Sequence, residues 1–448
     1  MAGPASAEGI AAAPHPDRAG GPGARAVLSL LATLFFMWGF ITVINNTLLP
    51  HLRSVFELDY TRTTLIESVW FIAYFVASIP SARLIRAIGY KKAIVTGLGV
   101  MAAGALMMVP AARLASYELV LTALFVIASG ITLLQVAANP YVTVIGPPET
   151  GSSRLNLVQA FNSLGTTLAP LFAGYLILGR STGGTAQGEV VLTAAERYAD
   201  AQSVILPYII VAVVLILLAV VIARFPLPAL HASGRSVGAA ERKGLSLWRH
   251  RNLVWGVPAI FIYLIAEIGV ANLFINFVSQ PDIAAISHEE ASRYLAILWG
   301  GMMVGRFFGS WLTHRFPADK VLAVFAIGAF FVMTIATFAS GQVAMWALIS
   351  VGLFHSIMFP TIFTLGIKGL GPLTEEGSGL LIMAIAGGAL VVVQGWLADM
   401  YGLQLSFLLT VACELYILFY ALWGSKPTNA LAPVDPAGPV DPKPLASA

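Results

Sequence analysis

The chain has 448 residues, of which 58% are hydrophobic and 10% charged, and its mean hydropathy is +0.83. A soluble domain carries about 25% charged residues, so a soluble enzyme is excluded and a polytopic helical membrane protein is implied. The formal net charge of +3 is spread over short loops between apolar runs, which reports topology and not a polyanionic partner such as nucleic acid.

Residues 1–25 are rich in Ala, Gly and Pro, and residues 425–448 form a Pro-rich tail. Neither can bury a core, so both are expected to be disordered. The first apolar run begins near Ala26 and is long enough to span a bilayer, which predicts a retained helix and not a cleaved signal. Further runs begin near Arg62, Tyr90, Tyr117, Leu155, Ser203, Leu253, Ser292, Lys320, Ala344, Gly377 and Leu403, giving twelve spans in all. The longest polar interruption, residues 226–252, carries Arg235, Arg242, Lys243, Arg249 and Arg251. It divides the chain into a six-helix half over 26–225 and a second over 253–424. Placing that basic linker in the cytoplasm puts both termini inside, and most of the 25 Lys and Arg residues then fall on the inner side.

The halves resemble each other in sequence. Gln135 is followed by Pro140 and Gly146-Pro147, as His355 is followed by Pro360 and Gly371-Pro372; Glu149-Thr150-Gly151-Ser152 is echoed by Glu375-Glu376-Gly377-Ser378. Two repeated halves with a site between them near the midplane is the architecture of a transporter. The single cysteine, Cys413, allows no internal disulfide and no cysteine metal motif. Neither paired catalytic carboxylates nor histidines at ligand spacing are present near a membrane face, so a membrane enzyme is not expected, nor any cofactor or resident metal.

Polar residues at membrane depth are costly and therefore informative. In span five Asn156, Gln159, Asn162, Ser163 and Thr166 recur every three to four positions and predict a polar stripe on one helical face. Gln135 and Asn139 share a face of span four, and Trp38, Thr42 and Asn46 line up in span one. Amides that donate and accept suit a polyol, and an aromatic ring such as Trp38 suits its C–H surface. The same residue types also fasten one membrane helix to another. Among ionisable residues, Glu267 in span seven is a candidate proton site, or a sodium site with Asn272; it could equally be a partner of Arg306. Glu67 near the outer end of span two is a reserve coupling candidate. His355 in span ten could bind substrate or a neighbouring carbonyl, and Glu414 has no assigned role, because a peripheral helix is a poor place for coupling.

Phe35-Phe36-Met37-Trp38-Gly39-Phe40, Asn46-Thr47-Leu48-Leu49-Pro50, Gln135-Val136-Ala137-Ala138-Asn139-Pro140-Tyr141, Arg154 to Ser163 and Phe359-Pro360-Thr361-Ile362-Phe363 resemble the L-fucose permease and glucose/galactose transporter family of the major facilitator superfamily. The resemblance implies an all-α fold of twelve transmembrane helices in two pseudo-symmetric halves, and proton- or sodium-linked uptake of a hexose across a bacterial inner membrane by a monomer. It places Gln159 and Asn162 on sugar-binding positions and Trp38 on a cavity aromatic. Two departures follow: Asn46 and Gln135 stand where the fucose permease motif has an aspartate and a glutamate, and neither amide can titrate. After span two only Arg83, Arg86, Gly89, Lys91 and Lys92 remain of the superfamily's loop motif, a cluster expected to serve topology and gating. A sugar uniporter or an exporter on the same fold are the alternatives.

Overall fold

The computed structural model describes residues 26–42, 60–114, 116–173, 205–227 and 245–427, excepting the side chains of 60–67, 170–173, 288 and 289. The expected N-terminal tail, the C-terminal tail beyond Pro427, most of the basic linker, Asn46 and the side chain of Glu67 lie outside the described residues; Ser425, expected to begin the tail, is buried and donates to the Ala421 carbonyl at 3.0 Å.

Twelve helical spans occur among the described residues: α1 Ala26–Thr42, α2 Tyr60–Ile88, α3 Tyr90–Arg113, α4 Tyr117–Val144, α5 Gly151–Ala173, α6 Ile205–Arg224, α7 Arg251–Val278, α8 His288–Arg315, α9 Ala318–Phe338, α10 Gly341–Ile367, α11 Gly371–Tyr401 and α12 Leu403–Gly424. Ten of them are long and apolar enough to cross a membrane by length and composition alone. The two that fall short are informative. α1 is shorter, and α5 carries the amides and hydroxyls that lower its hydropathy.

Backbone polar groups cannot be left open in hydrocarbon, so each span is helical and its neighbours pack by close approach. In the first half a Cβ on Gly97 would meet the carbonyl oxygen of Gly130 at 3.1 Å, which is how α3 and α4 come together. Gly39 of α1 and Gly165 of α5 leave no room for a side chain against each other's helix. Gly89, with φ of 81°, makes the single-residue turn from α2 into α3, and Gly402, with φ of 92°, does the same between α11 and α12. Both angles are left-handed and favour glycine.

Three helices of the second half are interrupted. α10 breaks at Ser356 and Ile357 between Gly341–His355 and Met358–Ile367, α11 passes through a 3₁₀ stretch at Ala384–Leu390, and α12 ends in a π turn over Tyr420–Gly424. The break in α10 follows from Pro360, which has no N–H to give the carbonyl four residues earlier and whose ring crowds it. That carbonyl belongs to Ser356, and it accepts instead from Arg306 Nε of α8 at 3.1 Å. The carbonyl of His355 accepts from the Tyr263 hydroxyl of α7 at 3.1 Å.

The halves meet along α2 with α11 and α5 with α8 and α10. At the end that carries the linker, Arg86 Nη1 donates to Glu376 Oε1 at 2.7 Å and the Tyr90 hydroxyl to Glu375 Oε1 at 3.1 Å. Deeper, Ser152 Oγ lies 2.5 Å from Thr364 Oγ1, Ser153 Oγ 3.2 Å from Ser310 Oγ, and Ser378 Oγ donates to the carbonyl of Val136 at 3.1 Å. This ladder of cross-half bonds shuts the linker end.

Candidate functional site

Above that ladder the polar residues of α4 and α5 gather at the boundary of the halves. Asn156 Nδ2 donates to the Ser152 carbonyl at 2.9 Å and reaches across to Thr361 Oγ1 of α10 at 3.2 Å. Its Oδ1 is buried without a hydrogen-bond partner, as is Gln159 Nε2 one turn further along. On α4, Asn139 is fully buried and neither amide atom has a partner; it lies one turn from Val136, the residue that α11 grips through Ser378. Buried amides are nearly always hydrogen-bonded, so these open donors and acceptors mark groups shaped for a polar occupant.

The stripe on α5 spans an arc of about 120°, and its two edges meet different helices. Asn162 Nδ2 donates to the Phe35 carbonyl of α1 at 2.9 Å, whereas Ser163 Oγ accepts from Arg306 Nη1 of α8. Asn156 and Asn162 are six residues apart, which at 3.6 per turn leaves them about 120° apart around the helix. Asn156 and Ser163 are two turns apart and both look toward the second half. Asn162 therefore fastens α5 to α1, at the place where Gly39 and Gly165 bring the two backbones together.

Gln135 is 2% exposed, and its Nε2 donates to the Tyr74 hydroxyl of α2 at 2.5 Å, a partner with no signal in the sequence. Trp38 is buried, its ring 5.3 Å from Phe35 and tilted by 59°. Glu267 is half-buried on α7, in the electrostatic field of Arg306 and His355 and one turn from Tyr263. Asn272 is exposed and five residues further along an unbroken helix, about 140° away from Glu267. The two do not face a common point, and no freed carbonyl of α7 is available to complete a sodium site there.

His355 has a partner that its own span does not supply. Its Nε2 lies 2.7 Å from Glu414 Oε1, with the two side chains 2% and 0% exposed, so this ring nitrogen is engaged within the second half. Glu414, which had no role in the sequence reading, is its partner. Arg306 likewise does not form an ion pair among the described residues. Besides Ser356 and Ser163, its Nη1 reaches the Gln159 carbonyl at 3.3 Å, which makes it a bridge from the α10 break to α5.

A cavity of about 830 Å³ lies elsewhere: it opens at the linker end and is lined by Tyr90, Glu149, Ser152, Arg315, Lys368 and Thr374 among others. The Ser152–Thr364 contact forms its inner wall, so it is the vestibule under the closed ladder and separate from the amide cluster.

The sequence profile of the Major Facilitator Superfamily matches residues 30–391. A glucose/galactose transporter of Brucella abortus is 46% identical over 400 residues, covering 89% of this chain and 94% of that one. An L-fucose-proton symporter of Escherichia coli is 36% identical over 410 residues, covering 89% and 93%. Crystal structures of the E. coli fucose:proton symporter FucP, one of them in the outward conformation, match with a TM-score of 0.82 at 34% identity over 90% of this chain and 100% of theirs.

Proposed function

We propose that this chain, which belongs to the Major Facilitator Superfamily, imports a hexose by alternating access, with the sugar bound between its two halves and a proton as the coupled ion. The buried amides of Asn139, Asn156 and Gln159 carry the reading, because they keep hydrogen-bonding capacity that no protein group uses. A neutral polyol fits neutral donors and acceptors, whereas a charged substrate would call for an opposing charge at that depth. Gln159 and Asn156 contact the ring hydroxyls, Asn139 and Gln135 border the site from α4, and Trp38 packs a sugar face. The similarity to a glucose/galactose transporter and to fucose-proton symporters supports a hexose and a proton.

The linker end is cytoplasmic by its Lys and Arg content, so the ladder from Arg86–Glu376 to Asn156–Thr361 closes the inner side. Both termini are cytoplasmic, and the membrane is a bacterial inner membrane. Import then consists of releasing that ladder once sugar and proton are bound. Glu267, half-buried beside Arg306, borders the path of the proton, since Asn46 and Gln135 cannot titrate.

The test is counterflow in proteoliposomes with labelled glucose, galactose and L-fucose. Exchange of at least one of them, inhibited by its unlabelled form, supports the reading; absence of exchange for every hexose overturns it.

A further inference from the structure

Behind the amide cluster, inside the second half, lies a group of ionisable side chains that sugar binding does not use. His355 and Glu414 form a buried pair at 2.7 Å. The second carboxylate oxygen, Glu414 Oε2, is buried without a hydrogen-bond partner, as is Thr410 Oγ1 one turn earlier on α12. Tyr263 of α7 sets its ring edge-on to His355 with centroids 5.7 Å apart, and lies in the field of Glu267, Arg306 and Glu414. Glu267 in turn feels Arg306 and His355. The other neighbours add little charge. α12 contributes Cys413 beside the pair, α9 has no ionisable residue from Val321 to Phe338, and the carboxylates of α11 (Glu375, Glu376 and Asp399) stand near its two ends.

The charges can be summed. Around Tyr263 stand two carboxylates, Glu267 and Glu414, and one guanidinium, Arg306. With a neutral imidazole the group carries one net negative charge, which a low-dielectric interior disfavours. One proton brings it to zero. We propose that the transported proton is held by the His355–Glu414 pair, between Nε2 and Oε1, while Glu267 stays ionised as the counter-charge of Arg306. This deepens the proton-symport reading and rests on it.

The geometry also supplies the link to sugar. His355 ends the first segment of α10, and the consecutive carbonyls of His355 and Ser356, where the break begins, are held by Tyr263 and Arg306. Arg306 extends from the break to the Gln159 carbonyl and the Ser163 hydroxyl of α5. Loading the pair and seating a sugar against Gln159 thus act on the two ends of one guanidinium. Proton release leaves the imidazole neutral and the group negative, a state favoured only once the inner side opens to water.

The experiment measures sugar-induced proton uptake with a pH indicator trapped in proteoliposomes, alongside accumulation and counterflow, on the full chain. Glu414→Gln removes the charge deficit, so proton uptake should be lost and accumulation should fall to the level of protonophore-treated wild type, while counterflow persists. The double variant H355Q/E414Q replaces the pair by two amides that can hydrogen-bond to each other; it should behave in the same way, and serves if the single variant does not fold. The accumulation pH profile of each variant should be flat. Proton uptake and accumulation that survive in either folded variant overturn the proposal and leave Glu267 as the proton carrier. If the wild type itself moves sugar without protons, the symport reading fails instead.

Discussion

Arg306 Nε donates to the backbone carbonyl of Ser356 at 3.1 Å, the carbonyl that Pro360 leaves without an intrahelical donor. A cation from α8 therefore repairs a defect in α10, and the same side chain crosses to the Gln159 carbonyl and Ser163 hydroxyl of α5. Hydrogen bonds from a charged group contribute about 1.5–3 kcal/mol. Arg306→Met should lower unfolding stability in detergent by about that amount, whereas in a Pro360→Ala background, where residue 360 has its own N–H, the loss should shrink by about 1 kcal/mol. Strictly additive effects in a double-mutant cycle would show that Arg306 does not serve the break.

The sugar site gives a second expectation. Gln159 is 3% exposed and its Nε2 is open, so Gln159→Ala should remove a ligand bond and leave the fold intact. A buried hydrogen bond worth about 1–3 kcal/mol corresponds to a loss of affinity of about 5- to 150-fold, read as the concentration for half-maximal counterflow. Asn162→Ala should act differently: with its amide on the Phe35 carbonyl, the larger effect should be on thermal stability. Equal sugar affinity in Gln159→Ala and wild type would reduce the α5 amides to helix fastening.

Accessibility separates the faces of α5. In a Cys413→Ser background, a cysteine at Gln159 should react with a membrane-impermeant thiol reagent added from outside, and sugar should protect it. A cysteine at Leu157, about 160° around the helix, should not react. Equal labelling at both positions would mean that no aqueous cavity reaches Gln159 from that side.

How much of this was legible beforehand differs from residue to residue. The spans were, because a bilayer fixes their length and every backbone bond must close within a helix; α3 and α4 begin at Tyr90 and Tyr117, where the punctuation places them. The break in α10 was foreshadowed by Pro360. That the two edges of the α5 stripe meet different helices was not, since spacings of three and four residues accumulate drift and carried Asn162 round to α1. The His355–Glu414 pair was missed for a related reason: periodicity is local, and these residues are 59 apart in sequence. The available signal was energetic. An ionisable residue inside an apolar span demands a partner, and Glu414 had none on its own helix.

The closed end makes its own prediction. Arg86 and Glu376 are 32% and 23% exposed, so their pair is worth about 0.2–1 kcal/mol. Glu376→Gln should raise the rate at which a cysteine at Thr364 reacts from the cytoplasmic side by about 1.5- to 5-fold. No change would mean that the deeper contacts of Ser152 and Asn156 hold the ladder unaided.

The account stands most directly on whether sugar entry is tied to proton entry across this bundle. Proteoliposomes with an imposed inward proton gradient should accumulate labelled glucose, galactose or L-fucose above the external concentration, and a protonophore should return the internal level to equality. Uptake that only equilibrates, with the same endpoint with and without the proton gradient, would contradict it and make the protein a uniporter.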